Sequence, residues 1–343
     1  MEIGNQIKQL RLRRGITQEA MAQHFGITAQ AVSKWERGAA MPDIDMLPDI
    51  SAYFGVTIDD LFALSDDTRM ERIENMIWDV RVLEPADVQS NREFLLDKAK
   101  REPKNGKPHL LLAQMENHLA GERRELAMEY ARESLRRDPE EWDSLMELVH
   151  AMNGKEHDWN YANHYQLIDF YKEFIGEHPE QWHAYMVLLD QLIDDYRLDE
   201  ADEYCRRFAQ INHTYRVLLY EGMIAWQRGA REKAFEIWKE MERSFPDDWC
   251  VWHNVGDYLV RSGRFDEGMT YYRKALEVQK VPRLLDPCEA MAQLCEIRGD
   301  YSGAIRCLRE QVTLMEREWH ISSGEERDTV LRNIDRLEKK IEK

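Results

Sequence analysis

Cysteine is scarce in this chain, and what there is suits neither a disulfide framework nor a metal. The five cysteines, Cys205, Cys250, Cys288, Cys295 and Cys307, are odd in number, form no C-x-x-C pair and have no histidines at zinc-finger spacing. Reduced, buried thiols are expected. Long apolar runs are missing as well. The opening MEIGNQIKQL has no signal core, and nothing approaches the roughly 18 apolar residues of a membrane span, so a soluble, cytoplasmic protein with no membrane partner is expected. The phosphate-cradling, metalloprotease and nucleophile-elbow motifs (GxGxxG, GxxxxGK[ST], HExxH, GxSxG) do not occur. His150, His157 and His164 are spaced seven apart, but Asn153 and Gly154 interrupt any shared helix, so no metal site follows. These absences predict a chain that is not an enzyme, with no catalytic residues and no cofactor. There is no β-rich run and proline is scattered, which leaves an all-α fold.

What the sequence has is charge, unevenly placed. The 343 residues carry a net charge of -18. Residues 1–38 are net +3, through Lys8, Arg11, Arg13, Arg14, Lys34 and Arg37 against Glu2, Glu19 and Glu36. Residues 39–66 are net -6 and the remainder net -15. Any phosphate contact must therefore come from the first 38 residues.

Five short helices can be read from residues 1–66. Ile3, Ile7, Leu10 and the aliphatic part of Arg14 recur at helical spacing up to Gly15. Thr17 offers a cap for a helix over 18–25 that stops at Gly26, and Thr28 caps a third helix closed by Gly38. A fourth covers about 44–54, ending at Gly55, and a last turn covers 58–64 after Thr57. The second and third helices, joined through Gly26, have helix-turn-helix geometry. Met21, Ala22, Phe25, Ile27, Val32 and Trp35 can fill one core. Ala29, Gln30, Ser33 and Lys34 then face outward, a polar surface suited to base edges, where glutamine pairs bidentately with adenine.

GITQEAMAQHFGITAQAVSKWERG (15–38) followed by MPDIDMLPDISAYFGVTIDDLF (41–62) resembles the Cro/phage-repressor-type helix-turn-helix family of bacterial transcription regulators. The resemblance covers residues 1–64. It implies that Gln18 contacts a phosphate, that Thr28, Ala29, Gln30, Ser33 and Lys34 face the major groove of a double-stranded operator, and that Arg37 reaches the backbone beyond it. It also implies a structural pair between Arg11 and Glu36. A small helical domain with no DNA role is the alternative.

The rest of the chain repeats. LLYEGMIAWQRGAREKAFEIWKEM (218–241) aligns with WHNVGDYLVRSGRFDEGMTYYRKA (252–275) at a shift of 34, and CEAMAQLCEIRGDYSGAIRCLREQ (288–311) follows at a further 36. Small residues recur where paired helices cross (Gly222, Gly256, Ala292; Ala234, Gly268, Ala304), and Gly229, Gly263 and Gly299 end each first helix. Degenerate copies precede them at 182–208 and 109–139, with a longer interhelical loop at 153–158 inside a copy over 142–179. A capping pair lies at 69–102, split near Pro85. The pattern resembles the tetratricopeptide repeat, a helix pair of about 34 residues.

The expected architecture is thus a small five-helix helix-turn-helix domain (1–66), an α-solenoid of tetratricopeptide-like helix pairs (67–321) and a C-terminal capping helix (322–343). A solenoid presents a concave face made by the first helix of each pair. Tyr220, Met223, Trp226 and Gln227, then His253, Asn254, Asp257 and Arg261, then Glu289 and Gln293 are expected on it. This arrangement resembles peptide-regulated transcription factors of Gram-positive bacteria. That resemblance implies a sequence-specific regulator, a homodimer, controlled by a peptide or protein ligand on the array. The alternative is an adaptor whose array recruits a protein partner while the DNA-binding domain localises or autoregulates it.

Overall fold

Two threonines start the helices on which the N-terminal domain turns. Thr17 and Thr28 are extended, and each hydroxyl accepts from the backbone N–H three residues on, Ala20 and Ala31, at 3.1 Å. Each thus satisfies one of the donors that a helix start leaves open. Gly26 lies between them at φ +66°, a conformation that strains any residue with a Cβ. The computed structural model describes residues 2–62, 66–140, 142–152 and 164–342. It gives α1 (Glu2–Arg13), α2 (Gln18–Phe25), α3 (Ala29–Glu36), a 3-10 turn (Ile44–Met46), α4 (Leu47–Phe54) and α5 (Ile58–Phe62), the five helices expected. Leu64, Ser65, the 153–158 loop with His157, and Lys343 lie outside the described residues.

Ile7, Met21, Val32, Ile50 and Leu61 are fully enclosed at the centre of this domain, with Trp35 and Phe54 beside them. The α1–α3 crossing depends on a glycine. A Cβ on Gly4 would lie 1.8 Å from the Trp35 carbonyl oxygen, so the two backbones touch there. Arg14 corrects the sequence reading. Its side chain is not part of the α1 core stripe; its guanidinium reaches the carbonyls of Tyr53 and, at 2.9 Å, Phe54. It thereby caps the C-terminus of α4, where backbone acceptors are unpaired and a cation is favoured.

Next come α6 (Asp66–Asp79), α7 (Pro85–Arg101), α8 (Lys107–Arg137) and α9 (Trp142–Ala151). Leu95, Leu111 and Met115 sit in one apolar core with Ile73 of α6. The copy expected at 109–139 is not a helix pair but a single helix of 31 residues. A lone Gly121 costs about 1 kcal/mol in a helix interior, and the alanines, glutamates, arginines and leucines around it offset that. Contacts divide the chain within α8, into Met1–Leu126 and Ala127–Lys343.

The second unit continues with α10 (Tyr165–Glu177), α11 (Trp182–Asp194), α12 (Leu198–Ile211), α13 (Arg216–Gln227), α14 (Arg231–Ser244), α15 (Trp249–Arg261), α16 (Phe265–Glu277), α17 (Asp286–Ile297), α18 (Tyr301–Glu318) and α19 (Glu325–Ile341). From α11 to α18 these are helix pairs in the expected register, and the fold is an all-α solenoid. Trp238 shows why the crossing residues are small. It is wholly buried, its indole N–H donates to the Leu219 carbonyl at 3.3 Å, and a Cβ on Gly222 would fall 2.0 Å from its ring nitrogen. One repeat later Tyr272 occupies the same place against Gly256. Val330, Ile334 and Leu337 of α19 close the last core. Cys205, Cys288, Cys295 and Cys307 are buried and all five cysteines are free thiols.

Candidate nucleic-acid interface

The α3 surface sorts cleanly into inner and outer residues. Val32, Trp35 and Glu36 are buried. Thr28, Gln30, Lys34 and Arg37 are exposed, and Ser33 is half-buried between them. Among the described residues neither the Gln30 nor the Lys34 side chain makes a hydrogen bond, so both side-chain ends remain open to a partner. The Arg37 Nε donates to the Ser33 carbonyl at 3.2 Å, which folds its stem along the last turn of α3. Ala29 is less available than expected. It is half-buried and packs on the domain core, leaving it a short apolar shoulder beside Gln30.

One carboxylate braces this face from behind. Glu36 accepts from Arg11 Nε at 2.5 Å and Nη2 at 3.0 Å, and from Gln18 Nε2 at 2.7 Å. Arg11 also donates to the Ile16 carbonyl at 2.6 Å. Burial alone would push the Glu36 carboxyl up, but the bonds from Arg11 and Gln18 prevail and hold it below the usual glutamate range. The Arg11–Glu36 pair is therefore where the family resemblance placed it. Gln18 is half-buried, and one of its two amide hydrogens is committed to Glu36. Its second amide N–H makes no other hydrogen bond among the described residues.

The array residues divide into three outcomes. Tyr220, expected on the concave face, is buried instead. Its ring fills the seam between successive helix pairs, and its single hydroxyl proton is placed between two acceptors, Asp190 at 3.0 Å and the Met186 carbonyl at 3.2 Å. Asn254 turns back to donate to the Cys250 carbonyl at 2.7 Å and lines neither cleft. The others line two clefts of about 310 Å³ each. Met223, Trp226, Gln227 and Arg261 line the first together with Asp190 and Tyr258, and the Arg261 guanidinium lies 5.5 Å from the Tyr258 ring centre. His253, Asp257, Glu289 and Gln293 line the second, where Asp257 accepts from the Tyr272 hydroxyl at 2.7 Å. Asp190 and Gln191 were missed, since nothing in the degenerate 182–208 copy fixed which face of α11 was concave.

Comparison with known proteins bears on the N-terminal domain most directly. A helix-turn-helix family model matches residues 7–61 and a tetratricopeptide repeat model residues 251–281. The uncharacterized HTH-type transcriptional regulator MJ0272 of Methanocaldococcus jannaschii is 33% identical over 63 residues, 18% of this chain and 96% of that protein. The chain belongs to the helix-turn-helix transcriptional regulators. The HTH-type transcriptional activator BcrR of Enterococcus faecalis is 36% identical over 75 residues, 22% of this regulator and 37% of BcrR; the regulator thus spans little more than a third of that relative's length. Among solved structures, a tetratricopeptide repeat protein from Parabacteroides merdae has a TM-score of 0.40 at 13% identity, covering 79% of this chain and 98% of that one. PlcR of Bacillus thuringiensis, in complex with the peptide PapR7 and DNA, has a TM-score of 0.20 at 17% identity, covering 99% and 95%. Among the described residues no helix of the regulator is long and apolar enough to cross a membrane.

Proposed function

We propose that this DNA-binding transcriptional regulator reads its operator with Gln30, Ser33 and Lys34, and that a peptide on the array's concave face sets its operator affinity. The observation that carries the first half is the exposed, unpartnered pair Gln30 and Lys34 on a helix whose inner face is locked by Val32, Trp35 and Glu36. In this reading Gln30 addresses a base edge, and Ala29 rests beside a thymine methyl. Thr28 faces the groove at the start of α3, and Gln18 and Arg37 bind phosphates on either side, a division between positioning and specifying contacts that protein–DNA interfaces share.

The second half is supported by the two clefts, which follow one another along the first helices of the array and combine aromatic, amide and charged groups. A peptide bound there changes the array's curvature or its dimer geometry, and with it the spacing of two recognition helices. Half-sites lie about 34 Å apart or at multiples of that distance, so a small change in spacing shifts affinity. A folded partner on the same face is the rival occupant. Gel shifts with and without short peptides separate them, because operator affinity that ignores every peptide while the array captures a folded protein favours the adaptor.

Gln30→Ala is expected to cost roughly 1–3 kcal/mol on the operator and to relax preference at one base pair, whereas Arg37→Ala weakens binding to all sequences alike. Competition binding on operator and random DNA measures both. Equal losses on the two DNAs for Gln30→Ala remove its base-reading role.

A further inference from the structure

We propose that the C-terminal end of the array binds the primary ammonium group of a peptide, held by Glu289 and Gln311 in the cleft between α17, α18 and α19. Gln311 is the anomaly that leads there. It is 2% exposed, and it occupies an apolar register position of α18, in line with Ala304, Leu308 and Met315. Its Nε2 donates to Glu289 Oε1 at 2.8 Å. A carboxylate only accepts, so this bond fixes the amide's orientation and turns its oxygen the other way. That oxygen has no hydrogen-bond partner among the described residues. A buried amide oxygen left unpaired is unfavourable, and few are kept without a reason.

Gln311, Glu289 and Gln293 line a cleft of about 230 Å³ whose apolar wall includes Leu308 and Val330. The group that satisfies this set must donate hydrogen bonds and carry positive charge. Glu296, also in the cleft, is already answered by Arg336 at 2.6 Å and Lys340 at 3.0 Å. Glu289 has no ion pair among the described residues. Across α17, the neighbouring cleft adds Asp257 and Asp286 to its lining and contains no lysine or arginine. An ammonium, compact and with three donors, matches a cleft lined by the Glu289 carboxylate and by the Gln311 and Gln293 amides, whose oxygens accept. A guanidinium fits less well, since its planar fork wants both oxygens of one carboxylate and Gln311 already takes one of them.

Glu289 and Gln293 line both this cleft and the one between α15 and α17. The two clefts therefore share a wall, and a peptide lying along the concave face would bring its ammonium beside Glu289. This inference rests on the reading of the concave face as the ligand surface, and it adds the chemistry of one end of the ligand.

The test uses the full chain and three pools of randomised seven-residue peptides. One has free N-termini and no lysine, one is N-acetylated with lysine, and one is N-acetylated without lysine; retained peptides are read by mass spectrometry. At least tenfold greater retention of the first or the second pool than of the third is expected, and which of the two is retained identifies the ammonium as terminal or lysyl. Glu289→Gln, at an exposed position, is expected to lower that retention tenfold or more. Gln311→Leu is expected to abolish it while raising the thermal midpoint of the ligand-free chain, because it removes the unpaired oxygen. Equal retention of the third pool, or retention unchanged by Glu289→Gln, overturns the inference and leaves the peptide-binding reading intact. Retention of no pool overturns both.

Discussion

At Glu36 one carboxylate joins α1, α2 and α3, through Arg11, Gln18 and its own helix. Both ions are nearly removed from solvent, with side-chain exposures of 9% for Arg11 and 3% for Glu36. Removing one partner of such a pair strands the other charge, so Glu36→Gln is expected to destabilise the domain by on the order of 3 kcal/mol. The pair also sets an acid limit. The folded-state carboxyl lies below its unfolded value. Its contribution is therefore complete above the ordinary glutamate range and is lost as pH falls through that range toward the lower folded value. Thermal unfolding of wild type and Glu36→Gln from pH 7 down to pH 3 checks this. Wild type should lose more stability over the interval, and parallel curves would show that the carboxylate is not linked to folding. This pair was legible in the sequence because its family places it there. Gly4 was not, since a glycine one turn into an amphipathic helix gives no local sign that another backbone presses against it. Gln311 was legible in principle. Its signal was a polar residue on an apolar helical stripe, a misfit that periodicity alone exposes.

Across the helices, turns decided what could be read. The first helices of three pairs end on Gly229, Gly263 and Gly299 at φ +83°, +78° and +76°, and those glycines made the repeat visible. The pair α11–α12 closes the same kind of turn with Tyr196 at φ +59°, so its copy carries no glycine to align on and its concave face was not read from the sequence. A tyrosine in the left-handed region bears a cost that glycine avoids. Tyr196 is 57% exposed, so most of its surface stays in water and the backbone strain is weighed only against the contacts of its covered part. Tyr196→Gly is expected to raise stability by about 1 kcal/mol, and Gly263→Ala to lower it by about as much. Urea unfolding reads both, and a destabilised Tyr196→Gly would mean that the ring has contacts worth more than the backbone strain. The same logic explains α8. The copy expected at 109–139 has Gly121 as its only glycine, with no proline directly after it and no second turn residue, and helix-forming neighbours carry the chain straight through.

For the whole molecule the deciding quantity is how much positive charge is free to meet phosphate. The chain is net -18, and its first 38 residues hold six basic side chains. Arg11 is taken by Glu36 and Arg14 by the end of α4, which leaves Lys8, Arg13, Lys34 and Arg37. Four phosphate neutralisations give a salt slope no steeper than about -3.6 for one domain, and about -7 for two domains on one operator. The fragment 1–66 is expected to bind the operator more weakly than the full chain, with the shallower slope, because the array is proposed to bring two recognition helices together. Fluorescence anisotropy over a series of salt concentrations measures affinity and slope at once. Undiminished binding by the fragment would remove dimerisation from the array's role. A full-chain slope much beyond -7 would place arginines or lysines of residues 67–343 on the DNA, against the acidic balance that argues they face away.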